Sequence, residues 1–200
     1  MSKESENKKK KKPAKVVFAP EGKAINHFKP DVFHATLVLL VDGHKVALGM
    51  KRDKIGKGCW NGPGGGIEGK ETPKKAALRE LTEEFGVVAA SRDARKVALI
   101  TFVTHNEDGT LFTCHMHVYV IGVWRGKLRT RESKKIGPPR WFGRARLPSK
   151  LMEADKHWLP LVLSHERLRA IFHYGPGQKK LIGKFVVEFT DELDEPMLES

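Results

Sequence analysis

A glycine-rich loop that leads into a short, clearly bounded helix constrains this chain more than any other feature. Six glycines and one proline crowd into residues 56–66, which predicts a loop. Thr72 and Pro73 predict a helix start, because threonine caps free backbone amides and proline suits the first helical position. Gly86 predicts where that helix ends. The chain must therefore build its fold around one fixed loop–helix unit.

The predicted helix carries a stripe of carboxylates. Glu80, Glu83 and Glu84 are three and four residues apart, so they share one helix face. The opposite face is apolar and can pack on a sheet: Ala77, Leu78, Leu81 and Phe85. Carboxylates without histidine or cysteine among them suit a hard cation, Mg²⁺ or Mn²⁺. For this spacing taken alone, a solvated acidic face is the alternative.

Arg79 and Glu71 form the second expectation for this unit. We expect Arg79 to point away from the carboxylate face and to pair with Glu71 in the preceding loop. That pair would tie the loop to the helix.

Strands and helices alternate along the rest of the chain. Short β-rich runs and turn signals predict strands at 34–41, 45–50, 96–104, 112–124, 140–142 and 182–189, and apolar spacing predicts a second helix over 158–172. This pattern predicts an α/β (α+β) domain with a mixed β-sheet sandwiched between helices. The predicted organisation is a disordered lysine-rich arm (1–15), a lead-in (16–32), the domain (33–190) and an acidic tail (191–200).

Composition narrows the setting. The chain carries 37 lysine and arginine residues against 24 acidic residues, a net charge of +13, and the arm holds seven of the lysines. The arm either solubilises the protein or binds nucleic acid. Two cysteines argue against a disulfide framework, and no apolar run reaches the roughly 18 residues of a membrane span. We expect a cytoplasmic monomer without a membrane partner.

The loop–helix unit resembles the signature of a known family. Gly65, five residues, Glu71, seven residues and then Arg79-Glu80-Leu81-Thr82-Glu83-Glu84-Phe85-Gly86-Val87 match every position of the Nudix box, G-x5-E-x7-R-E-U-x-E-E-x-G-U. Nudix proteins are divalent-metal hydrolases that cleave a nucleoside diphosphate linked to another group. Further matches at 48–52, 56–65, 141–142 and 155–160 are similar to the animal-type 8-oxo-dGTP diphosphatases of this family, which are MutT homologues.

The resemblance implies roles for individual residues. It makes Glu80, Glu83, Glu84 and the carbonyl of Gly64 ligands of Mg²⁺ (Mn²⁺ as the alternative), with Glu83 or Glu84 acting on the attacking water. Glu71 and Arg79 are structural. It implies substrate contacts from seven positions: Thr36, Lys51, Asn61, Phe102, Met152, Asp155 and Trp158.

Several positions depart from the family pattern. Ala154 precedes Asp155 where the family has two aspartates, and Met152 stands where a tryptophan stacks on the base. Ile55 and Thr104 occupy two other positions of the pocket wall. A glutamate often proposed to assist the metal or water aligns with Ile136 or Lys135, and Glu132 is out of register. A lost hydrogen-bonding group weakens the expectation of 8-oxoguanine as the base.

The expected function is hydrolysis of oxidised purine nucleoside triphosphates, of the 8-oxo-dGTP or 2-oxo-dATP type, to the monophosphate and pyrophosphate. Three alternatives stay open. The first is a Nudix hydrolase for a dinucleoside polyphosphate, a nucleotide sugar or capped RNA. The second is a non-catalytic Nudix-fold binding module. The third is a nucleic-acid-binding protein that acts through the basic arm.

Overall fold

The computed structural model describes residues 32–194 and the backbone of one further strand, Lys15–Phe18 (β1). The predictions for the rest of the arm and lead-in, and for the last six residues of the acidic tail, lie outside the described residues. No strand was predicted where the arm meets the lead-in, but β1 pairs antiparallel with a strand near the C-terminus, Lys15 opposite Glu188. Four residues at a sheet edge give too short a pattern for sequence analysis to detect.

The described residues form one mixed sheet. Its further strands are Val32–Asp42 (β2), Lys45–Met50 (β3), Trp60–Asn61 (β4), Ala94–His105 (β5), Leu111–Ile121 (β6), Arg140–Gly143 (β7), Leu168–Tyr174 (β8) and Phe185–Phe189 (β9). The order is β1-β9-β8-β5-β6-β2-β3-β4, and β7 pairs with β3. The pairs β2–β6 and β5–β8 are parallel, and the others are antiparallel.

One helix packs on each face of this sheet. Successive residues of β2 alternate between two cores, because side chains on a strand point alternately to opposite faces. Leu37 and Leu39 join the core that contains Asp155–Leu163 (α2), whereas Val38 and Leu40 join the core under Pro73–Phe85 (α1). The predicted α/β (α+β) class, with its sheet sandwiched between helices, is confirmed. No helix in the described part of the chain is both long and apolar enough to span a membrane.

Helix α1 has the predicted ends. The side chain of Thr72 accepts a hydrogen bond from the amide of Lys75, and Pro73 is the first helical residue. Gly86 closes the helix with φ +69°, a left-handed conformation that favours glycine, and donates to the carbonyl of Thr82 at 3.1 Å. The capped ends fix which turn presents the glutamates.

The predicted helix over 158–172 is wrong in its second half. Helix α2 ends at Leu163, and residues from Leu168 onward form β8 in the interior of the sheet, parallel to β5. A strand buried on both faces is apolar at nearly every position, so periodicity alone does not separate it from a buried helix. The last strand is also shorter than predicted, because β9 begins at Phe185 rather than at Ile182.

Candidate functional site

A cavity of about 400 Å³ opens where the sheet meets the glycine-rich loop and both helices. This volume falls within the range of small-molecule sites. Strands β2 and β5, the glycine-rich loop, α1 and the N-terminus of α2 all contribute to its wall. Nine of the predicted site residues line it: Thr36, Lys51, Asn61, Gly64, Glu80, Glu84, Phe102, Met152 and Asp155.

Two buried carboxylates form one side of this cavity. The residues Glu80 and Glu84 are only 4% and 1% exposed, although each reaches the cavity wall. Burial raises the pKa of both carboxyls, that of Glu84 to about 7. The amide of Gly64 donates to Glu84 Oε2 at 3.1 Å, and the nearby cations Lys51 and Lys135 oppose the rise in the Glu84 pKa. Burial therefore makes ionisation of either carboxyl costly unless a cation lies close to it.

The glycine-rich loop presses directly on the carboxylates. A Cβ at Gly65 would lie 2.4 Å from Glu80 Oε1, and one at Gly64 would lie 2.2 Å from the carbonyl oxygen of Thr36. The carbonyl of Gly65 accepts a 2.8 Å hydrogen bond from the amide of Thr36. The loop backbone therefore lies where a side chain would not fit, between β2 and α1.

Arg79 corrects the predicted orientation of its side chain. Its Nη2 bonds Glu71 Oε1 at 2.7 Å, which is the expected loop–helix pair, and the carbonyl of Gly66 at 3.0 Å. Its Nη1, however, contacts Glu80 Oε1 at 2.8 Å and Glu83 Oε2 at 3.0 Å. Arg79 thus lies within the carboxylate group rather than away from it, because its long side chain reaches both the loop and the helix stripe.

Glu83 differs from the other two glutamates. Its side chain is 40% exposed, is held by Arg79 and does not line the cavity. Across residues 32–194, no group of three or more His, Cys, Asp and Glu side chains is arranged to hold a metal ion. The role of Glu83 as a third metal ligand stays a prediction.

The residues of the cavity wall fit a hard divalent cation in their chemistry. Glu80 and Glu84 are oxygen donors, are nearly inaccessible to water and are destabilised as anions by burial. Mg²⁺ and Mn²⁺ prefer one or two such carboxylates together with water and phosphate oxygens. Two buried carboxylates are therefore a sufficient protein contribution for such an ion.

A third buried carboxyl lies in another part of the same cavity wall. Asp155 is 3% exposed, and its Oδ1 accepts a 3.0 Å hydrogen bond from the indole N–H of Trp158. Its Oδ2 is buried without a hydrogen-bond partner among the described residues. Burial raises the Asp155 pKa to about 7. A buried polar atom that is left without a partner beside a cavity is suited to contact a ligand.

Trp158 was predicted to contact the substrate, but it is fully buried and does not line the cavity. It lies one helical turn after Asp155 on α2, so its indole reaches back to the carboxyl. Trp158 therefore lies behind Asp155 rather than in the cavity wall.

Two polar residues of the cavity wall differ in how they are held. Thr36 is 2% exposed, and its Oγ1 has no hydrogen-bond partner among the described residues. Asn61 lines the cavity while its Oδ1 accepts from the amide of Gly62 at 2.9 Å, which orients the side-chain amide. Both can therefore present a polar group to a ligand.

The glutamate of the family pattern aligns with either of two residues in this chain, and neither is acidic. Ile136 is fully buried and packs on Gly49, where a Cβ would lie 2.6 Å from its Cγ1. Lys135 lines the cavity and pairs with Glu132 at 2.7 Å. The cavity therefore has a cation beside Glu80 and Glu84 where the family pattern has a carboxylate.

Sequence analysis missed Gln178. Its side chain lines the cavity and donates to Thr104 Oγ1 at 2.8 Å, so Thr104 lies behind the wall while Ile55 is part of it. Gln178 lies in a glycine-rich turn with φ +53°, and no local pattern indicates that this turn reaches the cavity.

Cys114 and Met116 were also missed. Their alternation along β6 could have revealed them, since both point to the face that Phe102 shares.

Comparison with known proteins places this chain in a family. The NUDIX domain matches residues 33–162. The chain is 33% identical over 140 residues to the oxidized purine nucleoside triphosphate hydrolase of Danio rerio and 31% identical to that of Mus musculus, in each case over 70% of this chain and 85% of the relative. A MutT protein from Bacillus halodurans superposes with a TM-score of 0.65 at 23% identity, over 77% of this chain and 97% of that one, and so shares the fold. The chain belongs to the NUDIX family and is a pyrophosphohydrolase.

Proposed function

We propose that this protein hydrolyses oxidised purine nucleoside triphosphates to the monophosphate and pyrophosphate, with Mg²⁺ as the cofactor. One observation carries the proposal. A single cavity joins two buried carboxylates, Glu80 and Glu84, to a buried carboxyl, Asp155, that has one oxygen without a partner. The pair of carboxylates suits a metal–polyphosphate group, and the carboxyl of Asp155 suits the edge of a base. The names of the two animal relatives support this class of substrate.

The residues of the cavity divide the work of binding and hydrolysis. A bound Mg²⁺ would neutralise phosphate oxygens and make water a better nucleophile. Glu80 and Glu84, with the carbonyl of Gly64 and with Glu83, would hold it. Lys51 and Lys135 attract the polyphosphate, because both cations lie beside the buried carboxylates. Glu84, fixed by the amide of Gly64, orients the attacking water or accepts its proton. Glu83 is the alternative for this step.

Recognition of the base depends on the far side of the cavity. Oδ2 of Asp155 bonds the base edge, as a proton donor when the carboxyl is neutral. Asn61 provides a second polar contact, while Phe102 and Met152 supply apolar wall against the ring. A purine whose edge leaves Asp155 unpaired is rejected, since a buried polar group without a partner is costly.

We further propose that the protein acts as a cytoplasmic monomer on the nucleotide pool. Cys59 and Cys114 are both free, and neither is fully exposed, which is consistent with a reducing compartment.

A substrate panel tests the proposed function. Purified protein with Mg²⁺ is given 8-oxo-dGTP, 2-oxo-dATP, dGTP, diadenosine polyphosphates and capped RNA, and pyrophosphate and monophosphate are quantified. We expect the highest kcat/KM for an oxidised purine triphosphate, and Glu84→Gln is expected to lower kcat by orders of magnitude without loss of the fold. Faster turnover of a dinucleoside polyphosphate or of capped RNA would replace this substrate class, and turnover that survives chelation would exclude the metal.

A further inference from the structure

A row of basic side chains lies against the C-terminal end of α1 and has no role in the proposed hydrolysis. Arg125, Lys127, Arg129 and Arg131, called here the basic edge, follow β6 at every second position. All four are exposed, and none forms an ion pair with an acidic side chain in residues 32–194. Their charge is thus available to a partner.

Backbone hydrogen bonds hold the basic edge against the C-terminal end of α1. The amides of Arg131 and Arg129 donate to the carbonyls of Glu84 and Phe85 at 3.1 and 3.0 Å. Arg125 exchanges two hydrogen bonds with Val88, at 2.8 and 3.0 Å. These contacts fix the backbone from which the four basic side chains extend.

The alternation of the segment separates its two sides. Trp124 and Leu128 pack against the core under α1, whereas the basic side chains point outward. The stems of Arg129 and Arg131 lie over Gly86, where a Cβ would be 3.1 Å from each. The basic edge is therefore a row of exposed positive charge.

An aromatic surface adjoins this row. Trp141 of β7 is 37% exposed, and its ring centroid is 6.0 Å from that of Trp124, which directly precedes Arg125. Exposed tryptophan beside a basic row is the combination that binds single strands, because bases stack on the ring while cations contact phosphates.

We propose that the basic edge and Trp141 form a binding surface for single-stranded nucleic acid. The charge row and the exposed ring together favour this partner over an acidic protein, which has no bases to stack. The surface goes beyond the proposed function, since the edge residues do not line the cavity that holds the free nucleotide. A strand bound here would lie at the C-terminal end of α1, because the amide of Arg131 donates to the backbone carbonyl of Glu84.

Fluorescence anisotropy of a labelled oligouridine tests this surface. The full chain is titrated against a strand on the order of ten nucleotides, over a series of salt concentrations. The edge variant replaces Arg125, Lys127, Arg129 and Arg131 with glutamine. The matched control replaces four other exposed lysines, Lys45, Lys150, Lys180 and Lys184, with glutamine, so both variants lose the same charge.

We expect the edge variant to bind at least about tenfold more weakly. The slope of the logarithm of its binding constant against the logarithm of the salt concentration should be shallower by about 3, since each phosphate contact on a single strand contributes about 0.7. The control should bind nearly as the unaltered chain does. Trp141→Leu should weaken binding roughly tenfold with an unchanged salt slope, because stacking releases no counterions. The edge variant should hydrolyse its free nucleotide substrate at the normal rate, so this test is independent of the proposed function.

Three results would overturn the proposal. Equal losses in the edge variant and in the control would mean that binding follows net charge or the lysine-rich arm. Displacement of the strand by polyglutamate at equal charge would mean that the surface takes any polyanion. Equally tight binding of the matching duplex would remove the role of unpaired bases.

Discussion

The indole Nε1 of Trp158 donates a 3.0 Å hydrogen bond to Asp155 Oδ1, in a part of α2 where both residues are almost completely buried. This bond fixes the carboxyl so that its second oxygen has no partner among the described residues. Trp158→Phe keeps an aromatic ring but removes the donor. We expect the free energy of unfolding to fall by about 1–3 kcal/mol, because a buried acceptor then loses its bond. Urea denaturation measures this change, and Trp141→Phe, at a partly exposed tryptophan, serves as the control.

Asp155 gives the folded state a dependence on pH. Burial raises its pKa from 3.8 to about 7, so the folded state binds its proton more tightly than the unfolded state does. Stability is therefore fullest below the unfolded pKa and is lost as pH rises toward 7. About three pKa units correspond to roughly 4 kcal/mol. Asparagine does not titrate, so Asp155→Asn should not lose this stability as pH rises. Relative to the unaltered chain, the free energy of unfolding of the variant should increase by up to about 4 kcal/mol between about pH 4 and pH 8.

Denaturant titrations at several pH values measure this difference. Asp42→Asn, at an exposed position, is the matched control and should run parallel to the unaltered chain. A constant difference between Asp155→Asn and the unaltered chain across the pH range would show that Asp155 is already ionised in the folded state. The same variant should lower the preference for an oxidised purine over dGTP by about tenfold to a hundredfold, since one buried hydrogen bond is altered.

The sequence predicts helix α1 well because its signals are local and agree with one another. Thr72, Pro73 and Gly86 bound α1, and the spacing of Glu80 and Glu84 places both carboxylates on one face. Strand β8 was taken for a helix because tertiary burial removes the alternation that identifies a strand. The pairing of β1 with β9 depends on contacts between the two ends of the chain, which no local pattern contains.

The remaining parts of the site come from long-range packing. Asn61 and Asp155 line one cavity although 94 positions separate them, and only resemblance to a family suggested that both contact a base. Gln178 had no such support and was missed. The contacts of the Arg79 guanidinium with Glu80 and Glu83 also depend on packing. Helical spacing predicts the direction in which a Cβ points, but not where the end of a long side chain lies.

Gly65 is expected to be intolerant of any side chain. A Cβ there would lie 2.4 Å from Glu80 Oε1 and 2.8 Å from Glu80 Cδ, so Gly65→Ala must displace either the loop or the carboxylate. Turnover should fall by at least about tenfold, because a misplacement of about 1 Å is costly to catalysis. Gly122→Ala is the matched control, since its nearest neighbour would be an ordinary 3.7 Å away. Steady-state kinetics of both variants at saturating Mg²⁺ measures the effect, and normal turnover of Gly65→Ala would contradict the observed contact.

Arg79 is the one cation bonded to Glu71, Glu80 and Glu83 in the described part of the chain, which predicts a link between this residue and metal binding. Arg79→Gln leaves the buried carboxylate of Glu80 without its positive partner. The free energy of unfolding without metal should fall by about 1–3 kcal/mol, a value discounted for the partial exposure of Arg79. A divalent cation then relieves more repulsion than it does in the unaltered chain, so Mg²⁺ should raise the Tm of Arg79→Gln by a larger amount.

Differential scanning calorimetry with Mg²⁺ and with a chelator measures both shifts. Arg92→Gln, at an exposed arginine outside this cluster, is the control. Equal Mg²⁺ shifts in Arg79→Gln and the unaltered chain would show that the ion binds independently of the carboxylates that Arg79 contacts.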